Sequence, residues 1–98
     1  MTLPLIVLPA AQAEFDDAAD WYESQEQGRG LAFVARVHET FNNIAAAPRM
    51  YTPVAGAVRR ARVHRFTYSI IYEIESEQIT VIAVFHGRRN PRIWQSRL

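Results

Sequence analysis

The chain has 98 residues, 49% of them hydrophobic and 21% charged, with a formal net charge of +1. That length holds one domain and one main core, residues 1–98, and the composition is that of a folded chain, not a disordered tail. The absence of cysteine excludes disulfides, thiolate metal sites and cysteine nucleophiles, fitting a cytoplasmic chain, and no apolar run approaches the ~18 residues of a membrane span.

Met1 to Leu8 carries neither a basic flank nor a small-residue cleavage site, so no signal peptide is expected. Leu3 to Leu8 is continuously apolar apart from Pro4 and predicts a short strand buried on both faces. Pro9 ends it and suits a first helical turn. Ala10 to about Gln27 then reads as a helix, because Ala11, Phe15, Ala18 and Tyr22 recur at steps of four, three and four and form one apolar face. Asp16, Asp20 and Glu23 fall on a separate, acidic face expected to be solvated, and Trp21 stands off the stripe. Gly28 and Gly30 end this helix. Leu31 to Ala47 predicts a second helix, with Leu31, Val34, Val37, Phe41 and Ile44 as its stripe and Pro48 as its stop. The short link makes the pair an antiparallel hairpin. Arg49 to Gly56 reads as a loop.

The remainder is strand-like. Val58 to Phe66 alternates, with Ala61 and Val63 on one face and Arg60, Arg62 and His64 on the other. Tyr68 to Glu75 places Tyr68, Ile70, Tyr72 and Ile74 together. Ser76-Glu77 is a two-residue link without the glycine or asparagine such turns prefer. Ile79 to Phe85 is apolar on both faces, as in a central strand. Gly87 to Pro91 breaks the pattern, and Ile93, Trp94 and Leu98 lie in a short turn or extended tail. The order β-α-α-β-β-β, with an antiparallel meander packed on an N-terminal helix hairpin, is an α+β fold.

Charge is sorted along the chain. Residues 1–48 hold seven acids and two arginines, a balance of −5, and residues 49–98 hold nine arginines and three acids, a balance of +6; lysine is absent. Every fixed cation is therefore a guanidinium, suited to bidentate contact with carboxylate or phosphate and unable to exchange protons near neutral pH. Arg59, Arg60, Arg62 and Arg65 form one cluster, and Arg88 and Arg89, with Arg92 and Arg97, form a second. Like charges at i and i+2 repel, so Arg60 and Arg62 on an open face invite an anionic partner, or protect a sheet edge from pairing. His38, His64 and His86 are far apart and suggest no metal pair. His38 reads as structural. His86, at a strand end beside Arg88 and Arg89, suits either acid–base work or a bond to the backbone. Phe66, Tyr68 and Tyr72 suit base stacking or, at period two, a core. Serine-nucleophile motifs and phosphate loops are absent.

Trp21-Tyr22-Glu23, Pro48, Val58-Arg59-Arg60 and Arg65-Phe66-Thr67-Tyr68-Ser69-Ile70-Ile71-Tyr72 resemble the ParE/RelE superfamily of bacterial type II toxin–antitoxin toxins. So do Val81 to Pro91, with its His86-Gly87-Arg88-Arg89, and the closing Trp94 and Arg97. The resemblance spans nearly the whole chain. It implies a cytoplasmic toxin without cofactor or metal that arrests growth and forms a hetero-oligomer with its antitoxin. RelE-like members cleave mRNA on the ribosome; ParE-like members poison DNA gyrase. Ser69 stands where RelE-like nucleases place an arginine, and Trp94 lies in the region of their tyrosine, so the resemblance is closer to ParE. On that reading the two arginine clusters supply Arg59, Arg60, Arg62, Arg65, Arg88 and Arg89 as expected contacts to gyrase or its DNA, and Trp21, on the outside of the helix hairpin, with Arg60 and Arg62 as expected antitoxin contacts. In the alternative, an endoribonuclease acting on ribosome-bound mRNA, Arg60, Arg62 and Arg88 stabilise charge and His86 carries the proton.

Overall fold

Pro9 opens helix α1 (Pro9–Gln25) at the position where its missing N–H is not needed. Ala11, Phe15, Ala18 and Tyr22 are its buried residues, the face that their spacing predicts. Helix α2 (Arg29–Ala46) buries Phe33, Val37, Phe41 and Ile44, whereas Leu31 is 76% exposed and Val34 half-buried. The expected stripe is thus turned at its start. Phe33 and Val37 are one turn apart, and Phe33 meets Phe15 edge-on at 6.0 Å and Phe66 at 5.1 Å between ring centroids, a larger apolar burial than Leu31 offers there. The computed structural model describes residues 2–98.

The two glycines belong to the second helix rather than closing the first. Gly28, with φ of 87°, precedes α2 in the left-handed region that glycine adopts without strain. Gly30 lies in its first turn, where an added Cβ would stand 2.7 Å from the Ala19 carbonyl oxygen and 2.9 Å from Glu23 Cβ. The Glu23 carboxylate accepts hydrogen bonds from the N–H groups of Gly28 and Gly30, both at 3.0 Å, so it caps α2 with a negative charge at the helix's positive end. Asp16, Asp20 and Glu23 are all exposed as expected, and Glu23 differs in that its carboxylate also holds the start of α2.

A five-stranded sheet lies behind the helices, in the order β1-β5-β4-β3-β2. Strand β1 (Leu5–Val7) pairs parallel with β5 (Ile79–His86), and the rest is an antiparallel meander through β4 (Tyr68–Ile74), β3 (Val58–Arg62) and β2 (Thr52–Ala55). The fold class is as the sequence predicts. β1, however, is an edge strand with Ile6 45% exposed, not a strand buried on both faces. The segment expected to be a loop, 49–56, holds a 3-10 turn (Pro48–Met50) and the edge strand β2, whose residues are all exposed and which ends at Gly56 with φ of 54°. β3 stops at Arg62, short of Phe66, although Val63 and Phe66 remain buried. Ser76-Glu77 does link β4 to β5, closed by the Glu75 N–H to the Gln78 carbonyl at 2.9 Å and by the Thr80 hydroxyl donating to Glu75.

Two cores result. Between helices and sheet, Phe15, Tyr22, Phe33, Val37 and Ile44 pack on Ala61, Val63, Phe66, Ile70, Tyr72, Val81 and Val84. On the sheet's far side Val58, Ile71, Ile82, Ala83 and Phe85 surround Trp94, carried by the short helix α3 (Arg92–Gln95) where a turn or tail was expected.

Gly30→Ala is expected to cost about 1–3 kcal/mol through overpacking against Ala19, more than Gly28→Ala at about 1–2 kcal/mol; thermal unfolding of both variants compares them. Tyr72 is fully buried, its hydroxyl donates to the Pro48 carbonyl at 2.5 Å, and burial pushes its phenol up to about 12. A raised pKa means that stability is whole below the unfolded value of 10.0 and is lost as pH rises from there towards 12. Urea unfolding across that range should show a loss of up to about 2–3 kcal/mol that Tyr72→Phe abolishes.

Candidate functional site

Alternation on β3 turns Ala61 towards the helices and Arg60 and Arg62 towards the sheet's other face. Arg62 pairs in register with Ser69 of β4, and the chain leaves β5 at His86 into a turn that carries Gly87 and Arg88. Arg60, Arg62, Tyr68, Ser69, Gly87 and Arg88 line a groove of ≈ 300 Å³. A neighbouring hollow shares Arg60, Ser69 and Gly87 and continues to Ile71, Phe85 and Trp94, with Arg89 on its wall, so the charged groove runs into a more apolar end.

The arginines divide into two groups. Among the described residues the ion pairs are Arg36–Glu39, Arg89–Glu14 and Arg97–Glu14. Arg60, Arg62 and Arg88 carry no acid partner and stand exposed around the groove. Arg59 is occupied elsewhere: its guanidinium donates to the Tyr51 carbonyl at 2.7 Å and the Arg49 carbonyl at 3.1 Å, bracing the segment before β2. Arg65 is exposed in the turn between β3 and β4 at φ of 71°, and His64 is exposed in the same turn. Arg89 reaches Glu14 at 3.7 Å and lies over the Phe85 ring at 5.8 Å.

Glu14 is the residue the sequence reading missed. Its carboxylate takes a two-pronged contact from Arg97, at 2.8 and 3.1 Å, and accepts the Val84 N–H at 3.2 Å, while Arg97 also donates to the Ile82 carbonyl at 3.1 Å. The hydrogen bonds to Glu14 hold the Arg97 guanidinium above its ordinary pKa, against the effect of burial. The available signal was position: Glu14 falls one turn from Ala11 and one from Ala18, at the margin of the buried stripe, unlike the outward acids Asp16 and Asp20.

His86 does not line the groove. Its Nε2 lies 3.0 Å from Thr67 Oγ1, and its Nδ1 accepts the Arg88 N–H at 3.0 Å. Tyr68 packs edge-on against it at 5.1 Å, and burial pushes the Tyr68 phenol up. His38 is exposed and edge-on to Phe15 and Phe41. Phe66 and Tyr72 are core residues and Tyr68 is half-buried. Trp21 is 55% exposed on α1, beside a hollow shared with Ala18, Tyr68, Val84 and Arg89.

The family described as "ParE toxin of type II toxin-antitoxin system, parDE" matches residues 5–91. Among solved structures, the chain is similar to one from the chromosomal ParDE TA system of P. aeruginosa, with a TM-score of 0.73 and 17% identity over 87% of this chain and 96% of that one. It is also similar to a chain of the toxin–antitoxin complex RelBE2 from Mycobacterium tuberculosis, with a TM-score of 0.61 and 20% identity over 88% of this chain and 92% of that one. At these identities the likeness is one of fold. No curated protein matches.

Glu14→Ala is expected to destabilise the protein by about 3 kcal/mol, because it leaves Arg97 without its anion and the Val84 N–H without an acceptor. Denaturant unfolding of Glu14→Ala, Arg97→Ala and the double variant should show a coupling of at least about 1 kcal/mol, and independent, additive effects would refute the shared role.

Proposed function

Because the chain belongs to the ParE family of toxins of type II toxin–antitoxin systems, we propose that it inhibits DNA gyrase through the groove on the open face of its sheet. A cognate antitoxin holds it inactive by direct contact in the cytoplasm. One observation carries the reading: Arg60, Arg62 and Arg88 converge on one groove without acid partners, and the groove holds no side chain that exchanges protons near neutral pH. Arginine stays charged, and burial raises the Tyr68 phenol further from neutrality. The arrangement suits binding of an anionic surface, either acidic side chains of gyrase or the phosphates of its DNA, rather than cleavage of a substrate.

The alternative, ribosome-dependent mRNA cleavage, uses the same three arginines and needs a proton carrier. Tyr68 lines the groove but burial raises the pKa of its phenol, and His86, outside the groove, has both ring nitrogens engaged by Thr67 and Arg88. An oriented phosphate without an acid or base gains charge stabilisation alone. For the antitoxin, exposed Trp21 offers an apolar anchor on α1, and Arg60 and Arg62 offer charge for an acidic segment, a contact that weakens with salt.

The purified chain is expected to block gyrase supercoiling, and added antitoxin to restore it. Arg60→Ala with Arg62→Ala should lower potency at least about tenfold while leaving the thermal midpoint nearly unchanged, since neither side chain is bonded within the fold. Full supercoiling at excess toxin would overturn the reading, and mRNA cleavage on added ribosomes would replace it with the nuclease.

A further inference from the structure

The turn that presents Arg88 is built around an imidazole. His86 is the last residue of β5 and sits opposite Tyr68 in register. Four hydrogen bonds hold the turn. Gly87 N–H donates to the Thr67 carbonyl at 2.8 Å and Arg89 N–H to the His86 carbonyl at 3.1 Å. Arg88 N–H donates to His86 Nδ1 at 3.0 Å, and Nε2 lies 3.0 Å from the Thr67 hydroxyl. A backbone N–H cannot reverse its direction, so Nδ1 must present its lone pair. The ring is therefore the neutral tautomer with its proton on Nε2, donating to Thr67.

We infer that His86 is a positioning residue for Arg88: the neutral ring, with Nδ1 as acceptor, fixes the turn that brings Arg88 to the groove, and protonation of Nδ1 releases it. The inference rests on the groove being the binding site. With a proton on Nδ1, two donors face each other across 3.0 Å and the bond to Arg88 N–H is lost. The charged and titratable groups at this corner are Tyr68 of β4, Glu14 and Asp17 of α1, and Arg88 and Arg89 of the turn. Tyr68 lies edge-on at 5.1 Å and is neutral, and Glu14 is already engaged by Arg97 and Arg89. Asp17 shares a hollow with Tyr68 and Arg89 but, among the described residues, no acid forms an ion pair with His86.

Position and charge predict opposite responses to acid. An imidazolium next to Arg88 adds positive charge, so a role through charge strengthens anion binding as pH falls. A role through position weakens it. Asparagine separates the two, because its Oδ1 is as many bonds from Cβ as Nδ1 is, accepts an N–H two residues on, and takes no proton.

The test is gyrase inhibition by the full chain, its His86→Asn and its His86→Ala, at about pH 8 and about pH 6, each referred to uninhibited gyrase at the same pH. Imidazole and amide nitrogen NMR of the chain alone runs in parallel. At the higher pH, His86→Asn should stay within about twofold of the parent, and His86→Ala should fall about five- to tenfold, the loss of one positioning hydrogen bond. Acid should weaken the parent and leave His86→Asn unchanged. The spectra should show the proton on Nε2 at the higher pH, and an Arg88 amide that moves on acidification in the parent only. A His86→Asn variant as weak as His86→Ala, a parent that gains potency in acid, or a proton on Nδ1 at the higher pH would overturn the inference. Should the parent leave gyrase untouched, the gyrase reading fails on its own, and the spectra, which involve no partner, still decide the role of His86.

Discussion

The Glu14 carboxylate repairs a break in the sheet. β1 accompanies β5 only as far as Val81, where the Leu8 N–H makes the last contact before Pro9 turns the chain into α1. Beyond that point β5 has no strand on its outer side, and its buried edge groups need other partners. Glu14 accepts the Val84 N–H and Arg97 donates to the Ile82 carbonyl, so an ion pair stands where a strand would have been. Arg97 reaches this position only when α3 lies across the far face with Trp94 buried. One carboxylate thus joins the helical layer, the central strand and the end of the chain. Its desolvation is offset by three hydrogen bonds, the condition under which a partly buried pair stabilises a fold.

The same contact shapes the groove. By occupying Arg97 directly, Glu14 removes one guanidinium from the open face, whereas Arg89, drawn to 3.7 Å, still lines the hollow beside the groove. Arg59 is withdrawn by backbone carbonyls. Of the residues nominated as target contacts, Arg60, Arg62 and Arg88 line one groove without an acid partner, while Arg65, also without one, lies in the turn between β3 and β4. The excess of arginine in the second half of the chain is thus partly structural and partly held in reserve.

Much of this was legible in the sequence, and the limits have physical causes. The stripe from Ala11 to Tyr22 and the alternation of Ala61 and Val63 against Arg60 and Arg62 carry a clean period, so the helix and the strand face follow directly. Continuous apolar runs carry none. β5 reads as buried on both sides, which it is, but a bulge lies within it: Ile71 pairs with Ala83 and Tyr72 with Val81, leaving Ile82 unmatched. That extra residue puts Val81 and Val84 in the helix-side core and Ile82 and Ala83 in the other. β1 is equally apolar yet lies at an edge, because burial of a strand depends on neighbours that local sequence does not name. β2 was hidden by Pro53 and Gly56, which mark loops more often than edge strands. Leu31 fitted the period as well as Phe33 did, and the choice between them was made by rings from α1 and the turn before β4.

The site was legible as charge and illegible as partnership. Arginine clusters show in any reading of residues 59–65 and 88–97, but which guanidinium is free depends on contacts as remote as residue 14 to residue 97. A groove bounded by permanent cations has almost no response of its own to pH, since guanidinium does not titrate in the working range. Sensitivity to acid therefore has to enter through geometry rather than through groove charge. In this corner of the molecule the titratable group that touches the backbone of a groove arginine is His86, through the Arg88 N–H. In the proposed arrangement binding charge and the placement of one wall rest with different residues two positions apart, so that acid acts on the wall through the His86 bond while the Arg88 guanidinium itself does not titrate.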